Sequence, residues 1–507
     1  MPITIPGFTV ANKRPGFYGS TNYGASPISL LTIPLVLLFV GQKDSSGSMQ
    51  ADLDVVTFNS DADADTFAGA GSELAWMEYT ARAEGSGYIM KGFAPAAAGG
   101  GASATATITF VGSTSTAGQW IYWFDGNPYV LILPSGYTAT QSAAALVTLV
   151  NNDPRVSVVL SNISGVVTAT DKVVGVRGNR KIIYQDKSLA PGTQTSAVTG
   201  GSSVTGSTNV TGVYFTSGSG VETLTNTLSV LFAGLYDRMA LATNDATSLA
   251  LWVTQENSKA GSTEGRLEHS VFGSNDTLSN ATTIAQTTVN NQRFQCIWVQ
   301  NCEAVPSRLA AAMASVRASV EGAQPNSGFD GYTFATIPGQ RFSSDWASNT
   351  TQESALNNSI TPGLSNSAGK VSCVRSITTR SLNGAVPDYR TIDTSQATTP
   401  DFIRTDLSYF WTTGIKPANP YNVPEPPSGA KKPAAKTLYP SRLNALYTNR
   451  LLTHQAANII TGVDTPAGAP QSEWNDAQQC IMTEVPCMPT PLTHQTGMLV
   501  SQFAVTQ

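Results

Sequence analysis

The sequence predicts a multidomain α/β protein: an α/β core with a mostly parallel sheet, a β-rich domain inserted into that core, an α+β C-terminal domain, and an extended arm at each end. Three observations predict it. A chain of 507 residues exceeds what a single hydrophobic core sustains and calls for two to four domains. Between residues 221 and 345 helix-period and strand-period segments alternate, the signature of a parallel sheet covered by helices. Between residues 93 and 179 the period falls to two, with Gly-Asn and Pro-Ser turns separating short segments, as in an all-β insert.

Residues 1–27 are rich in Gly, Pro, Ser, Thr and Asn and show no helical period, which suits an extended N-terminal arm. About 25 extended residues span on the order of 80 Å, enough to cross a neighbouring molecule; a frayed terminus is the alternative reading. The apolar run 28–40 is too short for a bilayer and contains Pro34, so residues 35–41 read as the first buried strand. Residues 66–84 read as a helix with Leu74, Trp76, Met77 and Ala81 inward. Gly69 and Gly71 form a partial G-x-G, but Leu74 stands where the third glycine of a dinucleotide loop belongs, which argues against that site.

The inserted domain, residues 93–220, is expected to hold strands at 104–112, 119–124, 129–133, 156–160 and 165–170, a helix at 138–151, and a Gly/Ser/Thr loop from 191 to 220. The core, begun in residues 28–92, resumes at 221–345. Helices are predicted at 222–235, 246–257, 278–290 and 307–321, and strands at 238–243, 267–273 and 294–299. The C-terminal domain, 346–495, opens on Gly369-Lys-Val-Ser-Cys-Val-Arg-Ser-Ile-Thr-Thr-Arg380. Val371, Cys373 and Ile377 point one way there, and Lys370, Ser372, Ser376 and Thr378 the other, as in a half-buried strand. In Thr399-Pro-Asp-Phe-Ile-Arg-Thr-Asp-Leu-Ser-Tyr-Phe-Trp411, Thr399 is the expected helix cap and Pro400 the first helical residue. A Pro- and Lys-containing surface loop, 421–440, leads to a helix at 441–460. Leu443, Leu446, Tyr447, Leu451 and Leu452 form its apolar stripe, with Arg442 and Arg450 on the flank. Met498, Val500, Phe503 and Val505 read as a terminal strand, 496–507, with one slip in its alternation.

Charged residues make up only 12% of the chain, about half the usual share. A surface so poor in charge favours association between copies. The net charge of −5 leaves no basic footprint for nucleic acid, and the first residues lack the basic cluster and apolar stretch of a secretory signal. The five cysteines, Cys296, Cys302, Cys373, Cys480 and Cys487, have no Cys-x-x-Cys spacing and read as mostly buried thiols; Cys480 and Cys487 could pair in an oxidising medium. His269, His454 and His494 have no partners at metal-binding spacing. There is no G-x-S-x-G elbow and no Walker A sequence. Asp61, Asp63 and Asp65 lack the glycine and distal glutamate of a calcium loop and suit a helix N-terminus instead. No cofactor, metal or catalytic residue is therefore expected, and assembly remains as the function.

The order of glycine turn, V-x-C-V-R-S-I-T-T strand, short loop and P-D-F-I-R-T helix resembles the C-terminal core of contractile phage tail sheath proteins of the Mu-like type. Arg14-Pro-Gly-Phe-Tyr18, Leu37-Leu-Phe-Val-Gly-Gln-Lys43, Phe67-Ala-Gly-Ala-Gly-Ser-Glu-Leu-Ala-Trp-Met77, Gly178-Asn179 and Gly339-Gln-Arg-Phe342 follow in the family's order. The resemblance implies a subtilisin-like α/β layer without activity and an outward-facing β-sandwich in the insert. It implies a virion structural protein, made in the host cytoplasm, that polymerises with six copies per ring around a tail tube and contacts baseplate and terminator proteins. It does not imply nucleic-acid binding or membrane insertion. An N-terminal arm strand carrying Phe17, Tyr18 and Tyr23 and a C-terminal one carrying Leu499, Val500, Phe503 and Val505 would add to a neighbour's sheet, with Val371, Cys373 and Ile377 on the acceptor strand. Arg442 and Arg450 are the tube-facing candidates; simple solvation of both is the alternative. A virion-surface adhesin or decoration protein, the sheath of a tailocin or secretion system, and a degenerate hydrolase are the competing readings.

Overall fold

The computed structural model describes residues 34–261, 264–388, 390–428, 436–477 and 480–492. Both predicted arm strands, with Phe17, Tyr18, Tyr23, Leu499, Val500, Phe503 and Val505, lie outside the described residues.

The chain enters the core through β1 (Val36–Val40), β2 (Val55–Phe58), the short α1 (Asp61–Ala64), α2 (Glu73–Glu84) and β3 (Ile89–Phe93). The single helix predicted over 66–84 is instead broken. A π turn runs from Asp65 to Gly69, Gly69 and Gly71 take φ of +87° and +73°, and α2 restarts behind Ser72, whose Oγ accepts from the Ala75 N–H at 3.1 Å. Glycine alone adopts those angles without strain. The aspartates do sit at a helix start: Ser60 caps α1, with Asp61 and Asp63 in its first turn.

The insert comprises β4 (Ser103–Val111), β5 (Gly118–Phe124), β6 (Asn127–Leu133), α3 (Ala139–Asn151), β7 (Val158–Ile163), β8 (Val166–Val174), β9 (Ile182–Asp186), β10 (Thr195–Thr199), β11 (Ser203–Thr205) and β12 (Val210–Tyr214). The predicted loop 191–220 thus contains three strands. Their Thr, Ser and Gly content hides them in the sequence, yet β10 pairs with β4, and β12 pairs with β11 and β9. Two antiparallel sheets result, β10-β4-β8-β7 and β11-β12-β9-β5-β6. They share one core, to which Ile108, Phe110, Leu160 and Val167 come from the first, and Trp120, Tyr122, Leu131 and Ile183 from the second. Helix α3, held by a Thr138/Gln141 capping box, adds Leu146 and Val150.

The insert is docked firmly on the core. The Asp125-Gly126 turn between β5 and β6, with φ of +50° and +80°, has the backbone of a tight hairpin. Its tip reaches the start of the long core helix described next, where Arg308 Nη1 donates to the Asp125 carbonyl at 2.6 Å. Gln42 Nε2 donates to the Val174 carbonyl at 2.7 Å, and Tyr214 Oη to Asn301 Oδ1 at 2.8 Å.

The core resumes as α4 (Thr225–Phe232), β13 (Arg238–Leu241), α5 (Ala246–Lys259), β14 (His269–Ser274), α6 (Leu278–Thr282), β15 (Phe294–Trp298), α7 (Pro306–Glu321), β16 (Thr333–Pro338), α8 (Asn349–Asn357), β17 (Thr361–Ser365) and β18 (Lys370–Cys373). The sheet order is β16-β18-β17-β15-β14-β13-β1-β3-β2. From β3 to β17 neighbours run parallel; β2, β18 and β16 join antiparallel. Every residue of β13, β14 and β15 is buried, as expected for strands covered on both faces. Ala-rich α7 buries everything except Ser319 and Val320. It lies so close to β14 that a Cβ on Gly273 would stand 2.0 Å from the Pro306 carbonyl oxygen. Because β17 and β18 belong to this sheet, the core extends past the expected boundary at residue 345.

The remaining unit holds the hairpin β19 (Leu382–Asn383) and β20 (Val386–Pro387), α9 (Thr394–Phe410), α10 (Lys416–Ala418), the parallel pair β21 (Tyr421–Asn422) and β22 (Thr437–Leu438), α11 (Pro440–Ala456), and the hairpin β23 (Gln471–Asn475) and β24 (Cys480–Glu484). Helix α9 starts behind Asp393, not Thr399, and carries Pro400 in its interior. Burial of Thr394, Ser395, Ala397, Thr398 and Thr399 outweighs the backbone bond that the proline removes. The predicted strand 369–380 stops at Cys373. Ser376 and Thr378, expected outside, are buried and hydrogen-bonded to Gln295 and to the Thr391 carbonyl.

Candidate assembly surface

Helix α9 joins the core to the C-terminal unit through two carboxylates. Asp401 faces the core: Arg293 Nε and Nη2 donate to its two oxygens at 2.7 and 2.8 Å, and His269 Nε2 lies 3.1 Å away. Five residues later, about 140° around the helix, Asp406 faces α11. Arg450 grips it through Nε at 2.7 Å and Nη2 at 2.5 Å, and His454 Nε2 lies at 2.8 Å. Burial alone would raise the pKa of both aspartates, but the bonds from His and Arg more than offset it and hold both below the usual carboxylate range. Burial pushes His269 down to about 4, so it is neutral near pH 7.

These contacts correct the reading of the arginines. Arg450 is buried against Asp406 because α11 turns that face toward α9, and it cannot face a tube. Arg442 is half-buried, its Nη1 donating to the Thr437 carbonyl at 2.8 Å. The exposed row of α11 is Ser441, Ala445, Asn449, Leu452 and Ala456, which carries no charge.

The expected acceptor strand has both edges occupied by strands of its own subunit. Val371 and Cys373 lie in β18, whose two edges are already bonded to β16 and β17, and Ile377 lies beyond the strand end. At the sheet margin, two N–H groups of β16, from Ala335 and Thr336, donate to the Glu84 carboxylate at 3.0 and 2.6 Å. The hairpin β23–β24 is different: five residue pairs join its strands, and no third strand flanks it among the described residues. An isolated two-stranded hairpin is marginal in water and invites a further strand. Beside it, Ile403, Leu407, Trp411, Tyr447, Val485 and Cys487 line an open groove of about 440 Å³. The sequence hid this element because Gln471-Ser-Glu-Trp-Asn475 is mostly polar on both faces.

In open α/β sheets, ligands bind beyond the carboxyl ends of the strands where the strand order reverses, which here lies between β1 and β13. That position is crossed by paired charged side chains. Arg177 Nη2 lies 2.5 Å from Glu222 and 3.2 Å from Glu73, and Gln42 Nε2 donates to Glu222 at 2.7 Å. Among the described residues, no three His, Cys, Asp or Glu side chains gather as for a metal ion.

A second charged cluster lies under β14. Glu268 pairs with Lys259, and Ser270 Oγ donates to Glu256 at 3.0 Å, all of them buried. Desolvation raises Glu256 to about 7, and desolvation together with the Glu256 charge raises Glu268 to about 8. A carboxyl whose folded pKa exceeds its unfolded value contributes stability below the unfolded value, and that contribution is lost as pH rises through the folded one. Stability should therefore fall between about pH 5 and pH 8. Glu256→Gln is expected to be more stable than the native chain at pH 8.5 and little different at pH 5, as read by urea unfolding at the two pH values.

No protein-family profile matches the chain. Over 143 residues, 28% of this chain, it is 32% identical to the Mu-like prophage FluMu tail sheath protein of Haemophilus influenzae, and the match spans 29% of that relative's length. Solved structures similar to it include the sheath tail protein of Desulfitobacterium hafniense, with TM-score 0.49 and 12% identity over 94% of this chain and 97% of that one. The sheath tail protein of Listeria innocua has TM-score 0.48 and 12% identity over 90% and 92%. The PVC sheath complex of an extracellular contractile injection system in the contracted state has TM-score 0.47 and 10% identity over 97% and 99%.

Proposed function

We propose that this chain is the sheath subunit of a contractile tail, polymerising helically around an inner tube and shortening to drive that tube through a host envelope. The sequence identity to a tail sheath protein carries this reading. The hairpin β23–β24, flanked by no third strand among the described residues, and the apolar groove beside it supply a physical means: strands from the N- and C-terminal arms of adjacent copies extend the hairpin by β-augmentation. Head-to-tail contacts of this kind build open helices. Gly- and Pro-rich segments near Gly16, Gly19, Gly24 and Pro27 absorb the dihedral change as rigid bodies slide.

In this reading the insert is a β-sandwich-like domain on the outside of the sheath, and the nine-stranded sheet is the inert, subtilisin-like layer. The tube, six copies per ring, the baseplate and the terminator are the partners, and the mature location is the virion. The uncharged outer row of α11 replaces Arg442 and Arg450 as the tube-facing candidate, which makes contact with the tube weakly dependent on salt. No helix among the described residues is long and apolar enough to cross a membrane. Electron microscopy of the purified protein at high concentration tests the proposal: hollow, helically ridged tubes are expected, and particles that stay monodisperse would overturn it.

A further inference from the structure

In open α/β sheets the strand-order reversal is the place for a ligand, and at that place this subunit keeps a cavity of about 30 Å³. Ala242 and Asn244, which follow β13, line it. The cavity sits in the seam between the two units: Asp125, Asp171, Arg177 and Lys181 come from the insert, and Glu73 and Ser307 from the core. Three wall atoms, Asp125 Oδ1, Arg177 Nη1 and Ser307 Oγ, are shut off from bulk solvent and have no hydrogen-bond partner among the described residues. Their side chains are at most 8% exposed. Nor can the two charged groups turn away to find partners, because Ser157 Oγ donates to Asp125 Oδ2 and Arg177 Nη2 pairs with Glu222. Native interiors seldom leave such atoms unpaired.

The three atoms select their occupant by chemistry. A carboxylate oxygen accepts, a guanidinium N–H donates, and a hydroxyl does either. An anion would serve Arg177 and leave Asp125 unsatisfied, and a cation would do the reverse; only a ligand that both donates and accepts serves all three. The charged lining is balanced as well, with Lys172, Lys181 and Arg177 against Glu73, Asp125 and Asp171, so neither sign is favoured. At roughly 10–15 Å³ for each water the cavity holds about two, and it is far smaller than the roughly 150 Å³ that accommodates a benzene ring.

We propose that this cavity is a built-in hydration site, in which ordered water bridges Asp125 and Arg177 of the insert to Ser307 of the core. The insert is then fastened to the core through water as well as through direct bonds, and the position where such sheets take a ligand has no room for an organic one. The inference concerns the single subunit and does not depend on the sheath reading. Crystals of the full chain grown in a bromide salt, measured at the bromine absorption edge and to a resolution that shows ordered water, provide the test. Density within hydrogen-bonding distance of the three atoms and without a bromine signal is expected; a bromine signal there, or no density, would refute the proposal. Stability gives a second, independent readout. A buried hydroxyl with no partner costs stability, whereas one bonded to water contributes it, so Ser307→Ala should lower the thermal midpoint by about 2 °C. A midpoint unchanged or raised would equally refute the proposal. Neither readout requires tubes to form.

Discussion

Deletion of residues 496–507 is expected to leave a subunit that folds with an unchanged thermal midpoint and forms no tubes. Folding should survive because the described hydrophobic clusters draw on no residue beyond Cys487. Assembly should fail because the hairpin β23–β24 loses the strand proposed to extend it. Each backbone hydrogen bond contributes about 0.5–1.5 kcal/mol net, so a strand matching the hairpin's five residue pairs is worth several kcal/mol at every contact. A polymer repeats that loss along its length. Negative-stain microscopy and sedimentation velocity of the deleted and full-length chains provide the comparison, and normal tubes from the deleted chain would rule out the C-terminal strand as the connector.

The parts of this fold that could be read from sequence are those whose side chains face a single, uniform environment. The alternating strands β4 to β8 and the helix α5 fall within a few residues of their predicted places, because burial on one face imposes a period of 2 or 3.6 on the residues. Reading failed where polar side chains are buried or where backbone geometry decides. Ser376 and Thr378 look like a solvent face but bond inside. Asp393, and not the more conspicuous Thr399-Pro400, starts α9. Arg450 on α11 looks free because its partner Asp406 lies 44 residues upstream, a distance over which periodicity carries no information, and Arg442 because its acceptor is the Thr437 backbone carbonyl. The hairpin β23–β24 escaped for the opposite reason: a strand pair with little to bury has little pattern to show.

Replacing Asp406 should have the largest effect on stability. Its carboxylate is fully buried and is shared by Arg450 and His454, and the Arg450 side chain is only 7% exposed. Asp406→Ala leaves that guanidinium buried without a counter-charge, and breaking a buried pair in this way costs about 3–5 kcal/mol. The loss should be local. Hydrogen exchange should speed up in α11 and the second half of α9 while α7 stays protected, because Asp401 still ties α9 to Arg293 and His269. Replacing Asp406, Arg450 and His454 together with Leu should recover much of the loss, since apolar substitutes for a buried ion cluster are often neutral. The pH dependence has the opposite sign to that of Glu256. Asp406 is held below the ordinary carboxylate range, so its contribution is complete above about pH 4 and is lost as pH falls through the folded value. The native C-terminal unit should therefore loosen in acid, whereas Asp406→Ala, already loosened, should show a flatter acid limb. Equal acid sensitivity in the two proteins would mean that this pair does not hold α11 to α9.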